Sequence, residues 1–244
     1  DLMGRNTPVL VDLKPSGQHY MEDLHKAGGL APILRELSPL LHLDCMTVTG
    51  RTLGEEIDDA PTWSQKIVKS IQSPLSSEGG IAVLTGNLAP DTAIIKQSAA
   101  TADLLVHEGR AVVFESLEDL ENRIDDPNLE VEEDDILVLR NAGPKGAPGM
   151  PESGYIPIPK KLAEAGVKDM VRISDARMSG TAFGTIVLHV CPEAAIGGPL
   201  AFVHDGDRIR LDVPNRRIDL LLETQILEER RVMWNPPTPP TGSD

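Results

Sequence analysis

Past residue 80 the chain breaks into short apolar runs separated by polar, Gly-rich and Pro-rich stretches. The runs are Ile81–Leu84, Ala93–Lys96, Ala111–Phe114, Ile136–Leu139, Met170–Ile173, Gly184–Val190, Leu200–Val203, Arg208–Val213 and Arg217–Leu222. They have the length of strands, too short for ordinary helices, and turn-forming residues bound them. His204-Asp-Gly-Asp207 reads as a hairpin turn, because Asp-Gly supplies the positive φ a tight turn needs. Helices are expected at Ser116–Ile124, with Ser116 and Asp119 as a capping pair, at Pro159–Ala165 and at Thr224–Trp234. Many short strands with a few crossing helices predict a β-rich α/β fold, a closed or nearly closed β-barrel flanked by helices.

The first part of the chain has a different rhythm. Tyr20–Leu41 reads as two short helical pieces split by Gly28-Gly29, and Thr62–Gln72 as another helix. Ser73-Pro-Leu-Ser-Ser-Glu-Gly-Gly80 is the best linker, so a boundary is expected between residues 1–76 and 77–244. No internal repeat is evident.

Composition narrows the classes. Charged residues make up 25% and apolar ones 40%, as in an ordinary globular protein. A net charge of −15 argues against nucleic acid and against anionic membrane surfaces. No apolar run approaches the roughly 20 residues of a membrane span. Cys45 and Cys191 give no disulfide framework, which fits a reducing cytosol. Residues 115–135 are strongly acidic, with Arg123 the only basic residue, and read as a solvated helix and loop.

Chemistry concentrates in two polar loops. Asn141-Ala-Gly-Pro-Lys-Gly-Ala-Pro-Gly-Met-Pro-Glu152 packs three Gly and three Pro into twelve residues and ends on a carboxylate. Such a loop holds a fixed shape and lets backbone come close to a partner. Glu152 at its end suits a hard cation such as Mg²⁺, which takes oxygen ligands, although a solvent-facing carboxylate is the blander reading. The second loop is Ser174-Asp-Ala-Arg-Met-Ser-Gly-Thr181. Ser179 is a poor base unless a neighbour lowers its pKa; Arg177 and a nearby cation are the candidates to do so, and a turn serine is the alternative. Ser174 competes for the same role. Thr181 with the backbone amides of Ser179 and Gly180 can form an anion nest for a substrate carboxylate. Asp175 and Arg177 read equally as an ion pair fixing the loop. Lys145 is an exposed loop lysine, His189 a satisfied core residue and Cys191 a small buried hydrophobe.

These two loops resemble the signature segments in the C-terminal half of the dihydroxyacid and sugar-acid dehydratases. The likeness continues, in order, through Asp12–Gly17, Thr47–Thr52, Gly86-Asn-Leu-Ala-Pro90, Ala93-Ile-Ile-Lys96 and His189–Pro199. It implies that residues 1–76 are the end of an N-terminal α/β domain with its linker, and that 77–244 are a swivelling β/α barrel. It also implies a hydro-lyase that turns a 2,3-dihydroxy acid into a 2-keto acid with Mg²⁺ and an iron–sulfur cluster. Glu152 would be a Mg²⁺ ligand, Ser179 the general base, and Ser174, Arg177, Gly180 and Thr181 the substrate contacts. The cluster cysteines would lie in an N-terminal half of the same enzyme, since two cysteines cannot hold a cluster. The chain is then expected to be a C-terminal piece of a cytoplasmic homo-oligomer. Asp169–Gly184 looks like the branch acting on sugar acids; the branched-chain amino-acid branch, a non-catalytic binding domain and an aconitase-like swivelling subunit are the alternatives.

Overall fold

The computed structural model describes residues 2–58, 60 and 64–237. The chain divides into two compact units, Asp1–Gly80 and Ile81–Asp244.

The first unit is built from short helices joined by turns. They are α1 (Leu2–Asn6), α2 (Met21–Lys26), α3 (Leu30–Glu36) and α4 (Leu53–Asp58), with a 3-10 turn at Ser38–Leu40. The split at Gly28-Gly29 falls where expected; both glycines have positive φ, which ends α2 without Cβ strain. The helix expected at Thr62–Gln72 is not found. Thr62 and Trp63 lie outside the described residues, and 64–72 are turn and extended chain. Val68 forms an antiparallel bridge with Val11, while Lys69 N–H donates to Leu10 and Asp12 N–H to Ile67. Pairing with residues 9–12 has overridden the local helical pattern. Segment 73–80 is tied as well: Leu75 N–H donates to Val9 and Gly79 N–H to Gly4.

The second unit is the expected barrel. Its strands are β1 (Ala82–Leu84), β2 (Ala93–Ile95), β3 (Val106–Phe114), β4 (Ile136–Leu139), β5 (Arg172–Ser174), β6 (Ile186–Leu188), β7 (Arg208–Asp212) and β8 (Arg217–Leu220). They form one sheet in the order β1-β2-β6-β5-β4-β3-β7-β8. The central four strands are parallel, and the flanking pairs antiparallel. The ends of the sheet meet. Thr85 bridges Arg217, its N–H donating to Arg216 O at 2.9 Å and its carbonyl accepting from Ile218 N–H at 3.1 Å. Closure removes the exposed edges an open sheet would leave.

Side chains alternate across the wall. Ala111, Val113, Ile136 and Val138 join the barrel core with Ile95, Ile173, Val187, Ile209 and Leu211. Val112, Phe114, Leu137 and Leu139 face outward under Leu120 of α5 (Leu117–Arg123) and Leu162 of α6 (Lys160–Glu164). A parallel strand covered on both faces must be apolar throughout, and all four residues of β4 are fully buried. The cap of α5 is as read: Ser116 Oγ accepts from Asp119 N–H at 3.2 Å. The C-terminal helix α7 spans Thr224–Met233.

Three expectations fail or shift here. Leu200–Val203 is not a strand: Pro199–Phe202 is a buried 3-10 turn with Pro at its start. A short buried apolar run has no period to distinguish the two states. His204–Asp207 therefore turns the chain into β7, with Gly206 at φ 87°, but joins no hairpin. The run at Met170–Ile173 is displaced to Arg172–Ser174, although Met170 and Val171 are buried.

Candidate active site

The parallel strands β4, β5 and β6 deliver three loops from their C-terminal ends, the place where open parallel sheets and barrels assemble sites. Loop 140–159 follows β4, 175–185 follows β5 and 189–198 follows β6. Polar groups stitch them together. Asp175, 1% exposed, accepts Ala142 N–H from the first loop and Ala194 N–H from the third, both at 2.9 Å. Glu193 accepts the N–H groups of Lys145 and Gly146, and Gly143 leaves it room: a Cβ there would lie 2.4 Å from Glu193 Oε2. Gly154 N–H donates to Arg177 O at 2.8 Å. Burial pushes the Asp175 carboxyl above the ordinary carboxylate range, against the lowering effect of its backbone donors.

A buried ion pair holds both signature loops from below. Arg172 and Asp169 side chains are 2% and 3% exposed and 2.5 Å apart. Arg172 also donates to the carbonyls of Tyr155 and Ile156, just past Glu152. Asp169 accepts from the hydroxyls of Thr101 and Thr185, the latter at the end of the Ser179 loop.

Glu152 is half-exposed and pairs with Arg177 Nη1 at 2.6 Å, while Arg177 Nε donates to Met150 O at 2.7 Å. The expected Asp175–Arg177 ion pair is thus replaced. Asp175 is spent on backbone amides, and Arg177 turns to the other loop. From Arg177 the chain runs back along the sheet to begin β6 parallel to β5. On this stretch Ser179 Oγ lies 2.9 Å from Thr181 Oγ1 and within 3.4 Å of Thr181 N–H. Both Thr181 groups can donate to an ionised Ser179. Ser179 is partly exposed, and Gly180 and Thr181 are exposed. A Cβ on Gly180 would meet nothing within 4 Å. Neither crowding in this chain nor a left-handed φ accounts for that glycine.

The structure therefore joins Glu152 with Arg177 and Ser179 with Thr181 on one loop system. Ser174 is set apart: it ends β5, fully buried, with its Oγ accepting Ala176 N–H at 3.0 Å. Lys145 is exposed, as read. His189 is not a core residue. It is exposed with φ 53°, its N–H donating to Ala176 O. Cys191, in the turn after β6, is likewise exposed, as is Cys45 in the first unit. Lys96, after β2, has a place in the site that no local sequence pattern reveals. Its Nζ donates to Gly180 O, and burial pulls its pKa below the usual lysine range.

The acidic stretch is mostly exposed, as expected, but Asp135 is buried in a two-point pair with Arg110 at 3.1 and 2.8 Å. Among the described residues no group of three or more His, Cys, Asp or Glu side chains is placed to hold a metal ion. Glu152 can supply one oxygen ligand and no more, and the two exposed cysteines lie in separate units. The residues described here thus do not by themselves fit a complete Mg²⁺ or iron–sulfur site. No helix among them is long and apolar enough to cross a membrane.

Comparison with known proteins finds relatives over nearly the whole length of the chain. Residues 66–243 match the C-terminal domain of the dihydroxy-acid/6-phosphogluconate dehydratases, and residues 1–56 match their N-terminal domain. An L-arabinonate dehydratase of Rhizobium leguminosarum is 51% identical over 97% of this chain and 41% of its own length. A 6-deoxy-6-sulfo-D-gluconate dehydratase of Pseudomonas putida is 52% identical over 92% of this chain and 39% of its own. A dihydroxy-acid dehydratase of Methanothrix thermoacetophila is 43% identical over 98% of this chain and 44% of its own. The chain spans about two fifths of the length of these relatives.

Proposed function

Because this chain belongs to the dihydroxy-acid/6-phosphogluconate dehydratase family, we propose that it is the base-bearing part of a hydro-lyase that dehydrates a 2,3-dihydroxy sugar acid to a 2-keto-3-deoxy acid. The observation that carries the reading is the Ser179–Thr181 pair on the same loop system as the Glu152–Arg177 pair.

In this reading Ser179, as alkoxide, removes the C2 proton. Thr181 O–H and N–H donate to the ionised oxygen and hold it in one orientation. Hydroxide leaves C3, and the resulting enol tautomerises to the ketone. The backbone amides of Ser179 and Gly180 receive the substrate carboxylate. Absence of a side chain on Gly180 lets the substrate approach the main chain. Glu152 would supply one carboxylate oxygen to Mg²⁺, which would acidify the C2 proton, and Arg177, fixed by its bond to Met150 O, would hold the loop beside it. Ser174, buried at the end of β5, supports the start of the loop through Ala176 N–H and does not touch substrate.

Mg²⁺ and the iron–sulfur cluster belong to the proposal through the family. Their remaining ligands would lie in the portion of the relatives that this chain does not span. Residues 1–76 are assigned to the end of the N-terminal domain and 77–244 to the swivelling barrel, within a cytoplasmic homo-oligomer. Identities of 51% and 52% to sugar-acid dehydratases, against 43% to a dihydroxy-acid dehydratase, support the sugar-acid branch.

The test is turnover by the complete, cofactor-loaded enzyme carrying this chain. Pentonates and hexonates are expected to give 2-keto-3-deoxy acids with higher kcat/KM than a branched 2,3-dihydroxy acid. The reverse order would move the enzyme to the branched-chain pathway, and no turnover of either class would end the hydro-lyase reading. Glu152→Gln should weaken Mg²⁺ binding, so that activity partly recovers at high Mg²⁺; loss that added Mg²⁺ does not relieve would remove Glu152 as a ligand.

A further inference from the structure

Ser179 needs help to ionise, and Arg177 is a poor source of it, since its guanidinium is engaged by Glu152 and Met150 O. A second cation reaches the same turn from another element. Lys96 follows β2, which pairs antiparallel with β6, so it lies beside the stretch by which the Ser179 loop returns to start β6. Its ammonium donates to the carbonyl of Gly180, the residue between Ser179 and Thr181. The neighbouring backbone is tied in the same direction: Gly184 N–H donates to Ala99 O at 3.0 Å, and Thr101 N–H to Thr185 Oγ1 at 3.1 Å. Segment 96–101 therefore grips the Ser179 loop at its turn and at its end. Lys96 is also partly buried, so its charge is less screened than that of a surface lysine.

We propose that Lys96 is the positioning residue of the Ser179 base, clamping the Gly180 carbonyl so that Ser179 stays in reach of Thr181 and placing a positive charge on the peptide next to the residue that must ionise. This rests on the reading of Ser179 as base. The charged groups facing the loop are Lys96 from the β2 end, the buried Arg172–Asp169 pair at the Thr185 end, Asp175 on backbone amides at its start, and Arg177 and Glu152, which are paired with each other. Burial lowers the lysine's own pKa, so substitution removes a charge held at some cost, as expected where that charge is used.

The experiment compares Lys96→Met, Lys96→Arg and Ser179→Ala in the complete, cofactor-loaded enzyme, reading kcat, KM and the pH profile of kcat/KM. An opposite charge a few ångströms away shifts a pKa by about one to three units. Lys96→Met is therefore expected to move the ascending limb up by about one unit or more, with kcat down about tenfold or more at neutral pH and KM little changed. Lys96→Arg keeps a cation and donor and should leave the limb in place. A limb that stays put in Lys96→Met overturns the proposal, whatever the loss in amplitude, because a merely structural role lowers activity without moving the limb. If Lys96→Met does not fold, Lys96→Arg decides: a wild-type limb with activity within about tenfold supports the clamp, and a folded but inactive Lys96→Arg overturns it. An active Ser179→Ala would instead sink the reading of the base itself, which separates the two failures.

Discussion

Arg172 and Arg177 stand close in sequence and carry different energetic weight. Arg172 is buried with every nitrogen engaged, and its partner Asp169 is 3% exposed. Removing the arginine strands a buried carboxylate, and breaking such a pair costs about 3–5 kcal/mol. Arg177 and Glu152 are about half exposed, and such pairs contribute about 0–1 kcal/mol. Chemical denaturation should therefore find Arg172→Ala destabilised by about 3–5 kcal/mol and Arg177→Ala by no more than about 1 kcal/mol. Equal losses in the two variants would contradict this division between scaffold and site. Asp175 gives a pH signature. Burial raises its pKa in the folded state, so the fold favours its protonated form. Its contribution is present below the ordinary carboxylate pKa and is lost as pH rises through the raised folded value. Relative to Asp175→Asn, whose side chain does not titrate, the wild-type melting temperature should fall between acid and neutral pH; a difference independent of pH would argue against the burial effect. None of this was visible at the residue level in the sequence. The spacing of Asp175 and Arg177 suggests a mutual pair, and only the fold reveals that backbone amides claim one and Glu152 the other.

At the scale of elements, legibility follows how much a local pattern is backed by its surroundings. Ile136–Leu139 reads as a strand and is one, because both its faces are covered and no polar residue is tolerated. Leu137→Ala should cost about 2–5 kcal/mol, measured by denaturant unfolding, since the cavity opens between the sheet and α5 and α6. A loss below about 1 kcal/mol would mean the outer layer can collapse onto the gap. The cap of α5 is legible because it is local, with Ser116 and Asp119 meeting within one turn. Residues 64–72 are misread because bridges to residues 9–12 are long-range and leave no trace in local periodicity. The Gly86–Pro90 segment gains a physical role only in the folded chain. Asn87 exchanges hydrogen bonds with Leu220, and a Cβ on Gly86 would lie 1.8 Å from Ile218 O. This motif is part of the seam that closes the barrel.

For the molecule as a whole, closure suggests that the second unit can stand alone. Its sheet has no open edge at the seam, and its two apolar clusters draw on residues 82–234 only. Residues 81–244 expressed alone should unfold cooperatively, with a folded far-UV spectrum; a spectrum lacking β structure would show that the first unit is needed. The barrel class was legible from strand count and spacing, whereas the candidate site rests chiefly on resemblance. Glu152 and Ser179 have no local pattern that separates a ligand or a base from a loop carboxylate or a turn serine. Lys96 and Glu193 reach the site only through the topology of β2 and β6. The central claim is that Ser179 takes the C2 proton. The measurement that meets it most directly is Ser179→Ala in the complete, cofactor-loaded enzyme, following 2-keto acid formation and exchange of the C2 hydrogen with solvent. Both are expected to fall by about 10² to 10⁴, the usual contribution of a general base, with substrate binding and melting temperature retained. Exchange and turnover near the wild-type rates would contradict the account.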